Sequence, residues 1–353
     1  MSRTSPGPVG RRRLDASQPV EYEQPVRGPR LESAQAARTV QLVVLAAWAI
    51  GFAGSTAAVV AIDVPTWIFR PSAALLTVAL AVGLTHRAGG HMRIWVSIAS
   101  VLMVAAVAFE TIALLAAAAM VTATLAAVLA VVATVPADAP LDATREYLIA
   151  LMVAASGAVG VAAWNASVDV EAFSLFVAGA SLVLVLGLVW GLGAGLHGLG
   201  RLHLAWLAGI AFVLLLLIVY SEVVRTHGSE NLVELIDDSV YWMRTTIGGV
   251  PRPVEVLLGF PALLVGIRMR SRRREGWWIQ VFAVLGTAVM TTALVSPSAY
   301  PSYVGLSTLY SAVLGYLVGL LATWIVLKRS SGSSRRVVQA VVRVEPDRFS
   351  GLR

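Results

Sequence analysis

The sequence predicts an all-α fold: a polytopic integral membrane helical bundle of about ten transmembrane helices with cytoplasmic N- and C-termini. Hydrophobic residues make up 58% of the chain and charged residues only 13%, whereas soluble domains contain about 25% charged residues. Apolar runs of membrane-crossing length recur along the chain, and basic residues gather between alternate runs. This composition excludes both a soluble globule and a disordered chain.

Two polar tails flank the apolar region. Residues 1–38 contain five prolines and seven arginines and predict a disordered basic cytoplasmic tail, and residues 328–353 predict a second basic cytoplasmic tail. Residues 39–327 between them predict the transmembrane bundle. The first apolar run begins near residue 40, too late for an ordinary cleaved signal peptide, so we expect it to remain as the first span.

Nine apolar runs define the helices in chain order. Residues 94–135 are too many for one crossing of about 20 residues, so this run predicts two helices that turn around residues 110–116. The eighth of the resulting ten spans, 253–267, is short. The runs are 40–62, 71–85, 94–135, 146–164, 173–196, 204–221, 253–267, 277–295 and 303–327.

The distribution of basic residues favours ten spans over nine with one long helix at 94–135. With ten spans and the N terminus inside, 23 of the 27 basic residues lie in predicted cytoplasmic segments, where Arg and Lys are enriched. Nine spans would place the five arginines of residues 268–275 outside. We expect a multi-pass plasma membrane protein, and the near-exclusive use of Arg over Lys is typical of a bacterial genome rich in G and C.

Few ionisable side chains interrupt the apolar runs, and the candidates for a substrate path lie at the predicted outer boundary. Asp63 and Arg70 flank the first outer loop, where they could pair. Glu110 is the only acid inside an apolar run, and its position along the helix places it at the outer turn rather than at the membrane centre. This scarcity argues against coupling by buried carboxylates.

The longest outer segment, 222–252, has apolar residues at helical spacing and predicts an amphipathic helix that stops at Gly248. Such a helix lies on the membrane surface, covers a cavity or packs over the bundle. Its acids Asp237 and Asp238 point to different parts of the helix and make a weak cation site. We expect no metal and no cofactor, because four of the five histidines lie in predicted cytoplasmic turns.

Glycines four residues apart predict close helix packing, with a substrate groove or a dimer face as the alternatives. They are Gly187, Gly191 and Gly195 in span six, and Gly315 and Gly319 in span ten.

Residues 70–95 and 252–277 share five identities at an offset of 182, among them an initial Arg-Pro and a final Trp. A parallel duplication would explain this resemblance. The common use of Pro, Arg and Trp at the ends of membrane helices explains it too and is the interpretation we favour.

Three functions remain open. The first is a permease-like carrier of a small uncharged or amphiphilic solute, which many spans and short loops favour. The second is a non-catalytic scaffold or subunit of a cell-envelope assembly. The third is an enzyme on lipid-linked substrates that uses Asp63, Asp237 or Asp238, but the sequence contains no catalytic motif in a credible context, so an enzyme is not what we expect.

The expected partners follow from the same features. Anionic lipid head groups would contact the basic tails and loops, and a small-molecule solute would occupy a carrier. Another membrane protein or a second copy of the chain would bind a scaffold. Nucleic acid is not expected, because the basic tails flank membrane spans.

Overall fold

The computed structural model describes an all-α chain over residues 31–60, 65–192, 230–271, 276–296, 299–331 and 345–352, with no strand among them. A 3₁₀ turn, Thr66–Ile68, precedes α2, and a π-helical turn, Glu255–Gly259, precedes α8. The helices are α1 (Leu31–Val59), α2 (Phe69–Ala88), α3 (Met92–Phe109), α4 (Ile112–Val132), α5 (Pro140–Trp164), α6 (Val170–Gly191), α7 (Glu230–Thr246), α8 (Phe260–Arg270), α9 (Gly276–Thr292) and α10 (Pro301–Ser331).

The chain divides into two compact units, residues 1–41 and residues 42–353. The described part of the first unit, residues 31–41, is helical and belongs to α1, so the predicted tail 1–38 is wrong in its last eight residues. The remaining residues of that tail lie outside the described part of the chain. All contacts below concern the second unit.

Among the described residues, seven helices, α1 to α6 and α10, are long and apolar enough to cross a membrane. Helix α9 is apolar but has 17 residues, and α8 has 11 residues after the π turn. The predicted seventh span, 204–221, lies outside the described residues. The chain is therefore a helical membrane bundle as predicted, while the number of ten spans stays a prediction.

The long apolar run at 94–135 forms two helices, as predicted. The break is at Glu110, whose φ of +50° lies in the left-handed region that ends helices. The side chain of Thr111 then caps α4 by accepting a hydrogen bond from the N–H of Leu114. The turn is shorter than the predicted 110–116 and lies at its start.

Helices α4 and α9 form the centre of the bundle. Helix α4 packs against α2, α5, α6 and α9, and α9 also packs against α5, α6 and α8. Small side chains allow these close approaches, because helix association in membranes depends on van der Waals packing. The fully buried alanines of α4 are Ala118, Ala119, Ala123, Ala126, Ala127 and Ala130.

A close helix crossing joins the π turn to α9. A Cβ built at Gly286 would lie 2.6 Å from the Cα of Gly259, so the two backbones touch only because both residues are glycine. Neither glycine belongs to a stripe with four-residue spacing. The position of this crossing was therefore not predicted from the sequence.

The glycine stripes chosen by spacing differ in their surroundings. Gly315 and Gly319 of α10 lie against Phe260 and Leu264 of α8. A Cβ at Gly187 would meet no described atom within 4 Å. Gly191 is exposed at the end of α6, and Gly195 lies outside the described residues. The close partner predicted for span six is thus not present among the described residues.

Helix α7 forms within the predicted amphipathic segment 222–252 and ends before Gly248, whose φ is +72°. Its C-terminal end lies on the start of α10. The hydroxyl of Tyr310 donates to the carbonyl of Ile247 over 2.8 Å, and the Arg244 guanidinium lies 5.0 Å from the ring centre of Tyr303.

The structure describes two parts of the predicted C-terminal tail 328–353. Helix α10 continues to Ser331. Residues 345–352, which we name the C-terminal segment, pack back onto the bundle through Arg87 and Glu146.

Replacing Gly286 by Ala should destabilise the protein by about 1–3 kcal/mol, because the new methyl group meets the backbone of Gly259. Gly305→Ala in α10 is the matched control: no described atom lies within 4 Å of its Cβ position, and Ala favours a helix over Gly by about 1 kcal/mol. Thermal unfolding in detergent, followed by tryptophan fluorescence, measures both. Equal unfolding midpoints for the two variants would contradict this account of the crossing.

Candidate functional site

The two ends of the bundle carry different polar groups. We name as the basic end the one that carries residues 86–91, 133–146, 267–271 and the C-terminal segment. The opposite end carries residues 65–70, 110–111 and 247–255. The sequence predicts the basic end to be cytoplasmic.

The predicted path residues lie at the opposite end or outside the described residues. Arg70 and Glu110 form an ion pair of 2.5 Å, with side chains 26% and 58% exposed. Asp63, the partner proposed for Arg70, lies outside the described residues. Asp237 and Asp238 are exposed on α7. No group of three potential metal-ligating side chains occurs in the part of the chain that the structure describes.

A buried carboxylate that the sequence did not single out lies near the opposite end. Glu255 has no exposed surface. Its Oε1 accepts a hydrogen bond of 3.1 Å from Nη1 of Arg252, while Oε2 is buried without a bond of acceptable geometry among the described residues. The sequence places Glu255 at a boundary of an apolar run, and the structure shows that its side chain is nevertheless buried there.

The π turn that carries Glu255 has a cause in the sequence. Pro261 lacks an N–H and cannot donate to the carbonyl of Leu257, and its ring would clash with that carbonyl in a regular α-helix. The chain widens to a π-helical turn at Glu255–Gly259 before α8 begins. Such turns are frequent at functional sites in helical proteins.

Hydroxyl groups of α10 contact this carboxylate or the chain that leads to it. The Ser311 hydroxyl lies beside the carboxylate of Glu255 and also accepts a hydrogen bond of 2.8 Å from the N–H of Arg252. Nη1 of Arg252 lies 3.4 Å from Oγ1 of Thr308. One turn earlier, the Ser307 hydroxyl accepts from the N–H of Val250 over 3.0 Å. Because the Arg252 side chain is 24% exposed, it connects the buried carboxylate to the surface.

Polar groups continue from Glu255 towards the basic end along α5 and α10. A Cβ at Gly315 would lie 3.2 Å from the carbonyl oxygen of Glu255. In the same turn of α10, the carbonyl of Ala312 accepts a hydrogen bond of 2.7 Å from the hydroxyl of Tyr147 on α5. The Tyr147 ring lies 5.4 Å from that of Tyr316.

The hydroxyl of Tyr316 completes this path at the basic end. It lies 2.6 Å from Oγ1 of Thr144, which donates to the carbonyl of Pro140 in the first turn of α5. We name the set Arg252, Glu255, Ser311, Tyr147, Tyr316 and Thr144 the polar seam. It follows the contacts of α10 with the π turn, α8 and α5.

A second polar cluster occupies the basic end. Arg87, in the last turn of α2, is 1% exposed. Its Nη1 donates to the carbonyl oxygens of Pro346, Asp347 and Ser350 over 3.2, 2.6 and 2.8 Å. Its Nε donates over 3.2 Å to the carbonyl of Val132 at the end of α4. One arginine thus joins α2 and α4 to the C-terminal segment.

Arg270, at the end of α8, is the second buried arginine of this cluster. Its Nη2 donates to Oγ1 of Thr134 over 2.6 Å, and its guanidinium lies 4.3 Å from the Trp277 ring centre. Burial lowers the pKa of Arg270 to about 10, and the carboxylate of Glu345, 3.5 Å away, opposes this shift. The side chain therefore remains charged at neutral pH.

Glu146 of α5 supplies the buried negative charge of the cluster. It is 1% exposed, and both carboxylate oxygens accept hydrogen bonds of 2.6 Å from Nη2 of Arg348. The N–H of Val135 donates to Oε2 over 2.9 Å. Arg145 adds a contact of 3.1 Å from a side chain that is 68% exposed. Arg348 is thus the main counter-charge of a carboxylate withdrawn from water.

Sequence signals for these groups exist but are weak. Glu146 and Glu255 each lie at the boundary of an apolar run, where a charged side chain is normally solvated. The signal for the π turn is Pro261, two residues after Gly259. The signal for the docked segment is a carboxylate, a proline and an apolar residue near the chain end, a pattern too common to identify a contact.

Comparison with known proteins gives no assignment: no family model, no curated protein and no solved structure matches this chain.

Replacing Arg348 by Ala should lower the free energy of unfolding by about 1–3 kcal/mol, because the buried Glu146 loses its bidentate partner. Arg145→Ala removes an equal charge from an exposed side chain and should change the stability by less than about 1 kcal/mol. Chemical denaturation in detergent measures both. Adding Glu146→Gln to Arg348→Ala should recover part of the loss, and no recovery would show that the unpaired charge is not its cause.

Proposed function

We propose that the protein is a permease-like carrier of a small uncharged or amphiphilic solute, with the polar seam as its path and Glu255 as its protonatable group. One observation carries the proposal: a carboxylate without exposed surface lies between the π turn and α10, with one oxygen lacking a well-formed hydrogen bond. Ionisable residues at such positions mark solute and proton paths in membrane proteins.

The groups around Glu255 suit a neutral, hydrogen-bonding solute. The seam offers hydroxyls of Ser311, Tyr147, Tyr316 and Thr144, which both donate and accept. The charge of Glu255 is opposed by Arg252 at 3.1 Å. Aromatic rings flank the hydroxyls at the centre of the seam, which favours a solute that is partly apolar.

Access to the centre of the seam from both sides of the membrane tests this proposal without knowledge of the solute. The chain has no cysteine, so Ala312→Cys introduces a unique thiol where the hydroxyl of Tyr147 meets α10. A carrier exposes this position alternately to both sides. We expect a membrane-impermeant maleimide to react with it in vesicles of either orientation.

Ala123→Cys is the matched control, because this alanine is fully buried in α4 and lies outside the seam. It should remain unreactive from both sides. Protection of the Ala312→Cys thiol from both sides would contradict a carrier and would favour the scaffold.

Solute flux tests the role of Glu255. Proteoliposomes under an imposed pH gradient are given labelled glycerol, mannitol or acetamide. We expect Glu255→Gln to reduce uptake of the transported solute by about tenfold or more, because an amide cannot bind and release the proton. Glu171→Gln, at an exposed position in the first turn of α6, should transport at the wild-type rate. Equal uptake by empty vesicles and by vesicles with the wild-type protein would contradict the proposal.

A non-catalytic membrane scaffold is the second candidate, and one observation favours it. Helix α3 presents apolar side chains that no described residue covers, a surface for lipid or for a partner helix. They are Ile94, Ile98, Val101 and Val104, each more than half exposed. Copurification of a stoichiometric membrane partner, lost on replacing Val101 and Val104 by Trp, would support this function.

A further inference from the structure

The C-terminal segment is held by more than ion pairs. Three of its carbonyl oxygens converge on Nη1 of Arg87, and the N–H of Leu352 donates over 2.9 Å to the carbonyl of that same residue. Nε2 of His86 lies 2.9 Å from the carbonyl of Phe349. A turn in which the N–H of Ser350 donates to Asp347 brings the carbonyls together. The bundle therefore recognises the backbone shape of the segment.

Three side chains of the segment add selectivity. Glu345 accepts a hydrogen bond of 3.1 Å from Nε1 of Trp277 and lies 3.5 Å from Nη1 of Arg270. Arg348 binds Glu146 with two contacts of 2.6 Å. Leu352 packs, partly buried, against the apolar core and lines a small apolar recess at the ends of α4 and α6.

The recess that Leu352 lines lies against the bundle. Its lining residues come from α2, α4, α6 and α9, and include Ala88, Val132, Val185, Val189 and Trp277. A carboxylate, an arginine and a leucine of one short segment thus each meet a complementary group that the helices provide.

The structure points to a binding site for a short peptide at the basic end of the bundle, which we propose is filled in cis by residues 345–352. Its ligand class is a turn-forming peptide with an acidic residue, an Arg three positions later and a Leu seven positions after the acid. Arg87, Glu146 and Arg270 are the recognition residues. Peptide binding at this site does not require the carrier function proposed above.

The C-terminal segment can occupy the site of its own chain even if a free peptide of the same sequence binds there only weakly. A tethered ligand has a high effective concentration at its site, of the order of millimolar for a short flexible connection. A peptide of the same pattern in trans competes poorly with the wild-type segment but binds once that segment is weakened. This difference distinguishes a binding site from a contact that serves stability alone.

Peptide binding to full-length protein is the first test. The probe is a fluorescein-labelled peptide with the sequence of residues 345–353. Arg348→Ala weakens the occupant and leaves the helices of the site unchanged, so we expect this variant to bind the peptide at least about tenfold more tightly than the wild type. Adding Arg87→Ala should abolish binding, because three carbonyl contacts are lost.

Two controls make this result specific. Arg93→Ala in the Arg348→Ala background removes the same charge from an exposed position in the first turn of α3, and it should leave peptide binding unchanged. A scrambled peptide should not bind. Absence of saturable binding to Arg348→Ala, or equal binding after Arg87→Ala, would overturn the proposal.

The docked state in the intact chain is the second test. Spin labels at His91→Cys and Ser350→Cys report the distance between the start of α3 and the segment, and the chain has no cysteine to interfere. We expect one narrow distance peak. Arg87→Ala should reduce its share by about tenfold or more, whereas Arg93→Ala should preserve it. The same narrow peak in Arg87→Ala would overturn cis occupancy through Arg87.

Discussion

The structure depends on one constraint: each polar group that a helix carries into the bilayer needs a partner within the chain, since lipid offers none. The centre of the bundle meets it with short local bonds. The buried Thr77 and Thr122 hydroxyls lie 2.6 Å apart, and Trp164 donates to Thr122 over 2.9 Å. Some buried polar groups depart from this pattern: Ser55, Ser181 and Gln280 have side-chain atoms without a bond of acceptable geometry among the described residues. Glu255 belongs to this set and is acidic; Arg252 bonds one of its carboxylate oxygens and the other lacks such a bond.

Helix α5 connects the two polar clusters, because adjacent residues serve each of them. Glu146 binds Arg348 at the basic end, and Tyr147 donates to the carbonyl of Ala312 in the seam. Successive residues of a helix are rotated by about 100°, so one turn of α5 faces the C-terminal segment on one side and α10 on the other. Thr144, which contacts Tyr316, lies in the same turn. A displacement of this turn would therefore change both clusters together.

The features that the sequence predicted are those determined by composition and local spacing. The apolar runs predicted the membrane helices. Residues 94–135 are too many for one crossing, which predicted the break that the structure has at Glu110. The two polar clusters could not be predicted in this way, because they depend on which helices pack together and at which residues they cross. Gly259 and Gly286 are 27 residues apart and unremarkable in the sequence, yet their contact sets the α8–α9 crossing. Arg87 and Ser350 lie even further apart, and Glu146 and Glu255 resemble ordinary boundary charges until their burial is known.

The resemblance between residues 70–95 and 252–277 bears on why a buried carboxylate occupies position 255. At the offset of 182, Glu255 corresponds to Ala73, which is also fully buried. The Arg-Pro pair at 70–71 lies in the first turn of α2, and the pair at 252–253 precedes the π turn that leads into α8. Helices α2 and α8 each carry a buried arginine in the last turn at the basic end, Arg87 and Arg270. A membrane helix with these ends can therefore place an alanine at this position, which burial alone favours. Whether the two stretches share ancestry or only the rules of membrane helices, the carboxylate is not required by the helix ends, and its desolvation is unfavourable. Burial disfavours a carboxylate at position 255, and the ends of the helix do not require one. The chemistry of the carboxylate is therefore the best explanation for Glu255.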